Sequence, residues 1–190
     1  MNKIILASNS PRRLDLLRQI GIEPVVIPSH VPELIKEGEP PEDAALRLAI
    51  EKASEVARQF QEGLVIGADT IVVIDGEQLG KPEDRDDAER MLRLLSGRSH
   101  TVITGLAVIN AGTSELKKTL VRTKVRFKPL SDEEINAYIA TGDPMDKAGA
   151  YGIQGRAAAF IEGIDGCYSN VVGLPLSELM DILKTLTFLT

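Results

Sequence analysis

At 190 residues with 43% hydrophobic side chains, the chain can build one core, and no apolar run approaches the roughly 18 residues that cross a membrane. A formal net charge of −6 and a pI of about 5.1 argue against a general nucleic-acid surface, so a basic cluster here points to a small anion. One cysteine excludes an internal disulfide and, with only two histidines, argues against structural zinc, leaving magnesium or manganese on carboxylates as the expected metal chemistry.

No charged-then-apolar leader opens the chain, and with the lone cysteine this suggests a reducing cytoplasm. Residues 3–7, Lys-Ile-Ile-Leu-Ala, predict a buried strand that runs straight into Ser8-Asn9-Ser10-Pro11-Arg12-Arg13. Ser10 suits an N-cap, Pro11 the first helical position, and Leu14, Leu17 and Ile20 share one helical face that Gly21 ends. A helix N-terminus presents unpaired N–H groups and a positive dipole end, which together attract anions. Two hydroxyls before that helix and two guanidiniums in its first turn favour phosphate, because the arginine fork matches phosphate oxygens. An ordinary strand-turn-helix with surface arginines is the bland alternative.

Residues 25–27 predict a second short strand, followed by a loop to Pro41. Residues 42–60 predict a helix with Leu46, Ala49, Ile50, Ala53, Ala57 and Phe60 as its apolar stripe, closed by Gly63. Lys52 falls on the flank of that stripe, where it either reaches a cleft or is merely solvated. Residues 64–66 form a strand that ends at Gly67-Ala68-Asp69-Thr70, and residues 71–74 turn at Asp75-Gly76, a hairpin signal. A carboxylate between two apolar runs is costly unless capped, paired or metal-bound. Asp69 is therefore either a turn aspartate bonding its own backbone, or a general base or metal ligand at a strand end.

Residues 84–95 predict an amphipathic helix ended by Ser96-Gly97, and residues 100–109 and 116–127 a long hairpin. Ser131 with Glu134 reads as a capping box. Residues 145–166 are glycine-rich and irregular, and Pro175 opens a C-terminal helix through Leu176, Leu179, Ile182, Leu183 and Leu186. The class is α/β with a mixed sheet, in one domain over residues 1–190. Lys81 lies in the rigid turn Leu79-Gly80-Lys81-Pro82, and Lys147, Tyr151 and Gln154 stand among the permissive glycines of residues 146–155.

Two nucleotide signatures fail. Gly76 to Lys81 is one residue short of a P-loop, and Pro82 replaces the magnesium-binding hydroxyl. Gly149, Gly152 and Gly155 have the wrong spacing for a dinucleotide fingerprint and follow no strand. Cys167 reads as a small buried residue rather than a nucleophile.

Ser8-x-Ser10-Pro11-Arg12-Arg13, Gly67-Ala68-Asp69-Thr70, Gly80-Lys81-Pro82, Leu95-Ser96-Gly97, Thr104-Gly105, Asp146-Lys147-Ala148-Gly149-Ala150-Tyr151-Gly152-Ile153-Gln154-Gly155 and Tyr168-Ser169-Asn170-Val171-Val172-Gly173-Leu174-Pro175 occur in this order. Together they resemble the Maf family, nucleoside triphosphate pyrophosphatases once described as septum-formation inhibitors. The likeness runs over essentially the whole chain, with Cys167 as a mild departure where a small hydroxyl residue is expected.

The resemblance implies an elongated mixed sheet with flanking helices, similar to the inosine triphosphatases, in two lobes with the site in a central cleft. It implies hydrolysis of the α–β phosphoanhydride of dTTP and UTP, giving the monophosphate and pyrophosphate with a divalent metal, Mg2+ or Mn2+. Asp69 is then the proton acceptor for water and, with Glu33, a metal ligand. Ser8, Ser10, Arg12, Arg13, Lys52, Thr70, Lys81, Lys147 and Gln154 are then substrate-binding, with Arg12, Thr70 and Gln154 at the positions linked to base choice. The implied partner is the nucleotide, with a homodimer compatible and neither nucleic acid nor membrane expected. A nucleotide-binding regulator of cell division with little turnover is the alternative, and a general phosphomonoesterase a third reading.

Overall fold

The computed structural model describes residues 3–187. Its strands are β1 (Ile4–Leu6), β2 (Val25–Val26), β3 (Leu64–Ile74), β4 (Glu77–Leu79), β5 (Ser99–Asn110), β6 (Leu116–Phe127) and β7 (Ile161–Asp165). They form one sheet in the order β2-β1-β3-β5-β6-β7, with β4 paired to β3. The β1–β2 and β1–β3 pairs are parallel, and the β3–β4 and β6–β7 pairs antiparallel, so the sheet is mixed as expected. The helices are α1 (Pro11–Gln19), α2 (Pro41–Ala57), α3 (Arg85–Leu95), α4 (Asp132–Ile139), α5 (Tyr168–Val172) and α6 (Leu176–Thr187). No helix among the described residues is long and apolar enough to cross a membrane.

The chain divides into two compact units. The first takes the described residues up to Asp69, Thr104–Val121 and the chain from Gly173 onward; the second takes Thr70–Ile103 and Arg122–Val172. In the first unit, Ile5, Ala7, Val65, Ala107 and Ile109 bury against Ala49, Ala53 and Val56 of α2. Two glycines set how close that helix comes. A Cβ on Gly67 would collide with the Ala49 carbonyl and lie 2.8 Å from the Ala53 amide, and one on Gly105 would collide with the Ala45 carbonyl. The alanines at 45, 49 and 53, one helical turn apart, thus pack directly onto strand backbone.

This close packing corrects two expectations. The apolar run does not stop at Gly67: β3 continues unbroken from Leu64 to Ile74, through Asp69. The buried face of α2 is also rotated, comprising Ala44, Ala45, Leu48, Ala49, Lys52, Ala53 and Val56. Leu46 and Ile50 are only partly buried, because the smallest residues take the closest contact and the bulkier ones flank it. Phe60 lies beyond the helix, which ends at Ala57, yet still packs on this core.

In the second unit, β3 turns into β4 at Asp75-Gly76, both with positive φ (51° and 82°), as a type I′ hairpin requires. Its core gathers Val72, Leu79, Leu92, Leu95, Val125, Phe127, Ile135, Tyr138 and Phe160. Asp84 caps α3 by accepting the Asp87 amide, and Ser131 and Glu134 complete the capping box of α4. Residues 145–166 are more ordered than their composition suggests. They hold 3-10 turns and β7, whose pairing with β6 around Gly163 gives no clean alternation in the sequence. The short helix α5 likewise has too few residues to show a period.

Candidate active site

The packing at Gly67 positions a charged cluster. Gly67 and Asp69 are two residues apart and so face the same side of β3, the side that α2 covers. Lys52, between Ala49 and Ala53, is carried down with its helix until its Nζ lies 2.5 Å from Asp69 Oδ1. The same ammonium lies 2.6 Å from Glu33 Oε1, so one cation bridges two carboxylates. Lys52 and Asp69 are both buried, whereas Glu33 reaches in from an exposed loop. Asp69 is therefore not a turn residue bonding its own backbone; it is a strand residue with a cationic partner.

Burial pushes the Asp69 carboxyl above its ordinary value, with Lys52 and Arg13 pulling it back and Glu33 adding to the rise. Desolvation dominates because Asp69 has almost no water contact, and a carboxyl so raised is a stronger base once ionised.

Arg13 comes from α1. Ser10 caps that helix, its hydroxyl accepting the Arg13 amide at 3.5 Å, and Pro11 occupies the first turn, as the sequence predicted. The Arg13 side chain folds back, its Nη1 donating to Ser8 Oγ at 3.1 Å and its Nε to the Gly173 carbonyl at 2.8 Å. Ser8 also accepts the Ser10 amide at 3.1 Å. The two hydroxyls expected at phosphate thus build the helix entrance and hold Arg13. Burial lowers the Arg13 pKa, while Asp69 and Glu33 act in the opposite sense and the neighbouring Arg12 adds to the fall. The segment after Val172, singled out by sequence, supplies the Gly173 carbonyl that fixes this guanidinium.

The first unit therefore gathers Ser8, Ser10, Arg12, Arg13, Glu33, Lys52 and Asp69. Thr70, Lys81, Lys147 and Gln154 belong to the second unit. There the Gly80 carbonyl accepts the Gly149 amide at 3.0 Å, bringing the Lys81 turn beside the Lys147 loop. Gly149 has φ +69° and sits against Val72, where a Cβ would press to 3.1 Å on its methyls. Lys147 Nζ donates to the Asp143 carbonyl and to Asp146 Oδ1, both at 2.5 Å. Lys81 and Gln154 are exposed.

Tyr151, in the same loop, is anchored by a residue that sequence reading passed over. Its hydroxyl lies 2.6 Å from His100 Nε2, and the rings of His100, Phe127 and Tyr151 meet edge to face. Burial lowers the His100 pKa to about 4 and raises that of Tyr151, so both stay neutral. The available signal was a histidine opening an apolar strand. Cys167 is half-buried rather than buried, its backbone tied to Thr123 and its Sγ 3.2 Å from Ser169 Oγ.

Residues 3–186 match the family model described as Maf-like protein. The chain is 52% identical over 184 residues to a protein of Pelotomaculum thermopropionicum named dTTP/UTP pyrophosphatase, covering 97% of this chain and 96% of that one. A Geobacter sulfurreducens protein of the same name is 57% identical over 182 residues, covering 96% and 95%. The solved structure of the Staphylococcus aureus Ham1 protein aligns with 66% of this chain and 71% of its own, at 18% identity and a TM-score of 0.47.

Proposed function

This chain belongs to the Maf family, and we propose that it is a nucleoside triphosphate pyrophosphatase acting on dTTP and UTP. It cleaves the α–β phosphoanhydride and releases the nucleoside monophosphate and pyrophosphate. The observation that carries the mechanism is the Lys52 ammonium held between Asp69 and Glu33. A buried carboxylate that must accept a proton, and a second that converges on the same cation, are what a metal-assisted hydrolysis needs.

The donor set fits a divalent ion. Glu33 Oε1 and Asp69 Oδ1 already converge on one cation, and oxygen donors suit magnesium or manganese. Among the described residues no group of three or more His, Cys, Asp and Glu could hold a metal ion, which leaves phosphate oxygens and water as further ligands. When bound, such an ion would polarise the phosphates and neutralise charge developing on them.

The chain's own residues do the rest. Asp69 accepts the proton of the attacking water as the anhydride bond breaks. Arg13, fixed by Ser8 and Gly173, and Lys52, Lys81 and Lys147 bind phosphate oxygens, with the N-terminus of α1 as a further donor set. Ser8 and Ser10 shape that entrance. Arg12, Thr70 and Gln154 select the base, the Gln154 carboxamide offering the donor and acceptor that pair with a uracil or thymine edge. The test is product analysis across a nucleotide panel with Mg2+ or Mn2+. Pyrophosphate and monophosphate are expected from dTTP and UTP. Orthophosphate would mark a phosphomonoesterase, and tight binding without turnover a regulator.

A further inference from the structure

The loop that carries Glu33, residues 28–40, has no regular structure of its own, and α2 grips it on both sides of that residue. Ahead of Glu33, the Glu55 carboxylate accepts the Ser29 hydroxyl and, at 2.8 Å, the His30 amide. Behind it, Arg47 Nη2 donates to the Leu34 carbonyl at 2.9 Å, one peptide beyond Glu33. The same guanidinium forks onto Glu39, Nε to Oε1 and Nη2 to Oε2, both at 2.7 Å, and its Nη1 reaches Glu51 at 3.1 Å. Arg47, Glu51 and Glu55 are spaced by four and lie along one helix face, beside the Lys52 whose ammonium meets Glu33.

We propose that Arg47 is a positioning residue for the Glu33 carboxylate, setting metal affinity without touching substrate. The proposal rests on the reading of Glu33 as a metal ligand. An exposed carboxylate on an irregular loop has no fixed place unless its backbone is held, and Arg47 holds the Leu34 carbonyl immediately after Glu33. The Arg47 guanidinium makes these bonds simultaneously through its planar fork, which a lysine cannot do.

The test is a cycle of Arg47→Met, Glu33→Gln and the double variant, with Arg47→Lys as a charge-conserving fourth. Two quantities are read. One is the Mn2+ concentration that half-activates dTTP hydrolysis; the other is Mn2+ binding, followed by its paramagnetic resonance in the presence of a dTTP analogue with a non-hydrolysable α–β bridge. Arg47→Met and Glu33→Gln should each weaken Mn2+ binding by roughly 10–100-fold, the usual cost of losing a group that orients or ligates a metal. The dTTP KM of Arg47→Met at saturating Mn2+ should hold, since Arg47 does not touch substrate. The double variant should be no worse than Glu33→Gln alone, since Arg47 acts through that carboxylate, and Arg47→Lys should fail to rescue. Where Arg47→Met does not fold, Arg47→Lys takes its place in the cycle. Additive losses, or unchanged Mn2+ binding in the folded Arg47 variant, overturn the positioning role and leave Glu33 as ligand. Unchanged Mn2+ binding in Glu33→Gln overturns the ligand reading and the positioning role with it.

Discussion

Lys52 Nζ lies 2.5 Å from Asp69 Oδ1, a buried contact between a helix and a strand that neither residue's neighbours in sequence could produce. It places the base of the proposed reaction against a cation that holds its ionised form. The Asp69 carboxyl stands above its ordinary range because burial outweighs that help.

Asp69→Asn keeps the shape and removes both the proton acceptor and the charge. Turnover of dTTP should fall by roughly 10² or more while nucleotide binding survives. Single-turnover kinetics on the folded variant check this; near-normal turnover would remove Asp69 from the chemistry.

Lys52→Ala removes the charge that pulls the Asp69 pKa down, so that pKa should rise. As the proposed proton acceptor, Asp69 must be ionised to act, so activity should fall below its pKa and the acid limb of the kcat/KM profile should move to higher pH. A pH–rate profile of wild type and variant measures the displacement, and an unmoved acid limb sinks the pairing as a functional one.

Arg13→Ala, Lys52→Ala and Lys81→Ala should each weaken catalysis, since a charge-assisted phosphate contact contributes about 1.5–3 kcal/mol. Arg18, on the same helix as Arg13, pairs with Glu23 at the surface with about half its side chain exposed. Arg18→Ala is the control and should change kcat/KM little. Equal losses in all four variants would place the phosphates elsewhere.

Gln154→Glu replaces a donor and acceptor by acceptors alone. Wild type should turn over dTTP and UTP well ahead of ATP and GTP, and the variant should lose that preference because an unpaired polar edge penalises the base. Competition assays with mixed triphosphates decide it; purine triphosphates used as fast as dTTP by wild type would refute the base assignment alone.

His100 is neutral in the fold, with a pKa near 4 against an ordinary 6.5, so the unfolded chain binds the extra proton. Its contribution is complete above about pH 6.5 and drains away as pH falls through the folded value, by roughly 3 kcal/mol in all. Urea denaturation at pH 7 and pH 4.5 should show a smaller pH dependence in His100→Gln than in wild type. An identical dependence would mean that His100 does not report its burial.

The sequence by itself determined the features that close within a few residues. Ser10 and Pro11 start α1, Asp75-Gly76 turns β3 into β4, and Ser131 with Glu134 caps α4, because caps and tight turns are contacts between near neighbours. The motifs also identified the family, which the match of residues 3–186 to the Maf-like protein model bears out. What only the tertiary structure decided depends on residues far apart in the chain. Gly67 lets α2 descend onto β3, which runs on through Asp69, and Lys52 is thereby buried facing that strand. Arg47 and Glu55 hold an otherwise irregular loop so that Glu33 meets Lys52. No periodicity encodes such approaches, since each is a close fit between two backbones or a side chain and a distant carbonyl, and it exists only once the helix is seated.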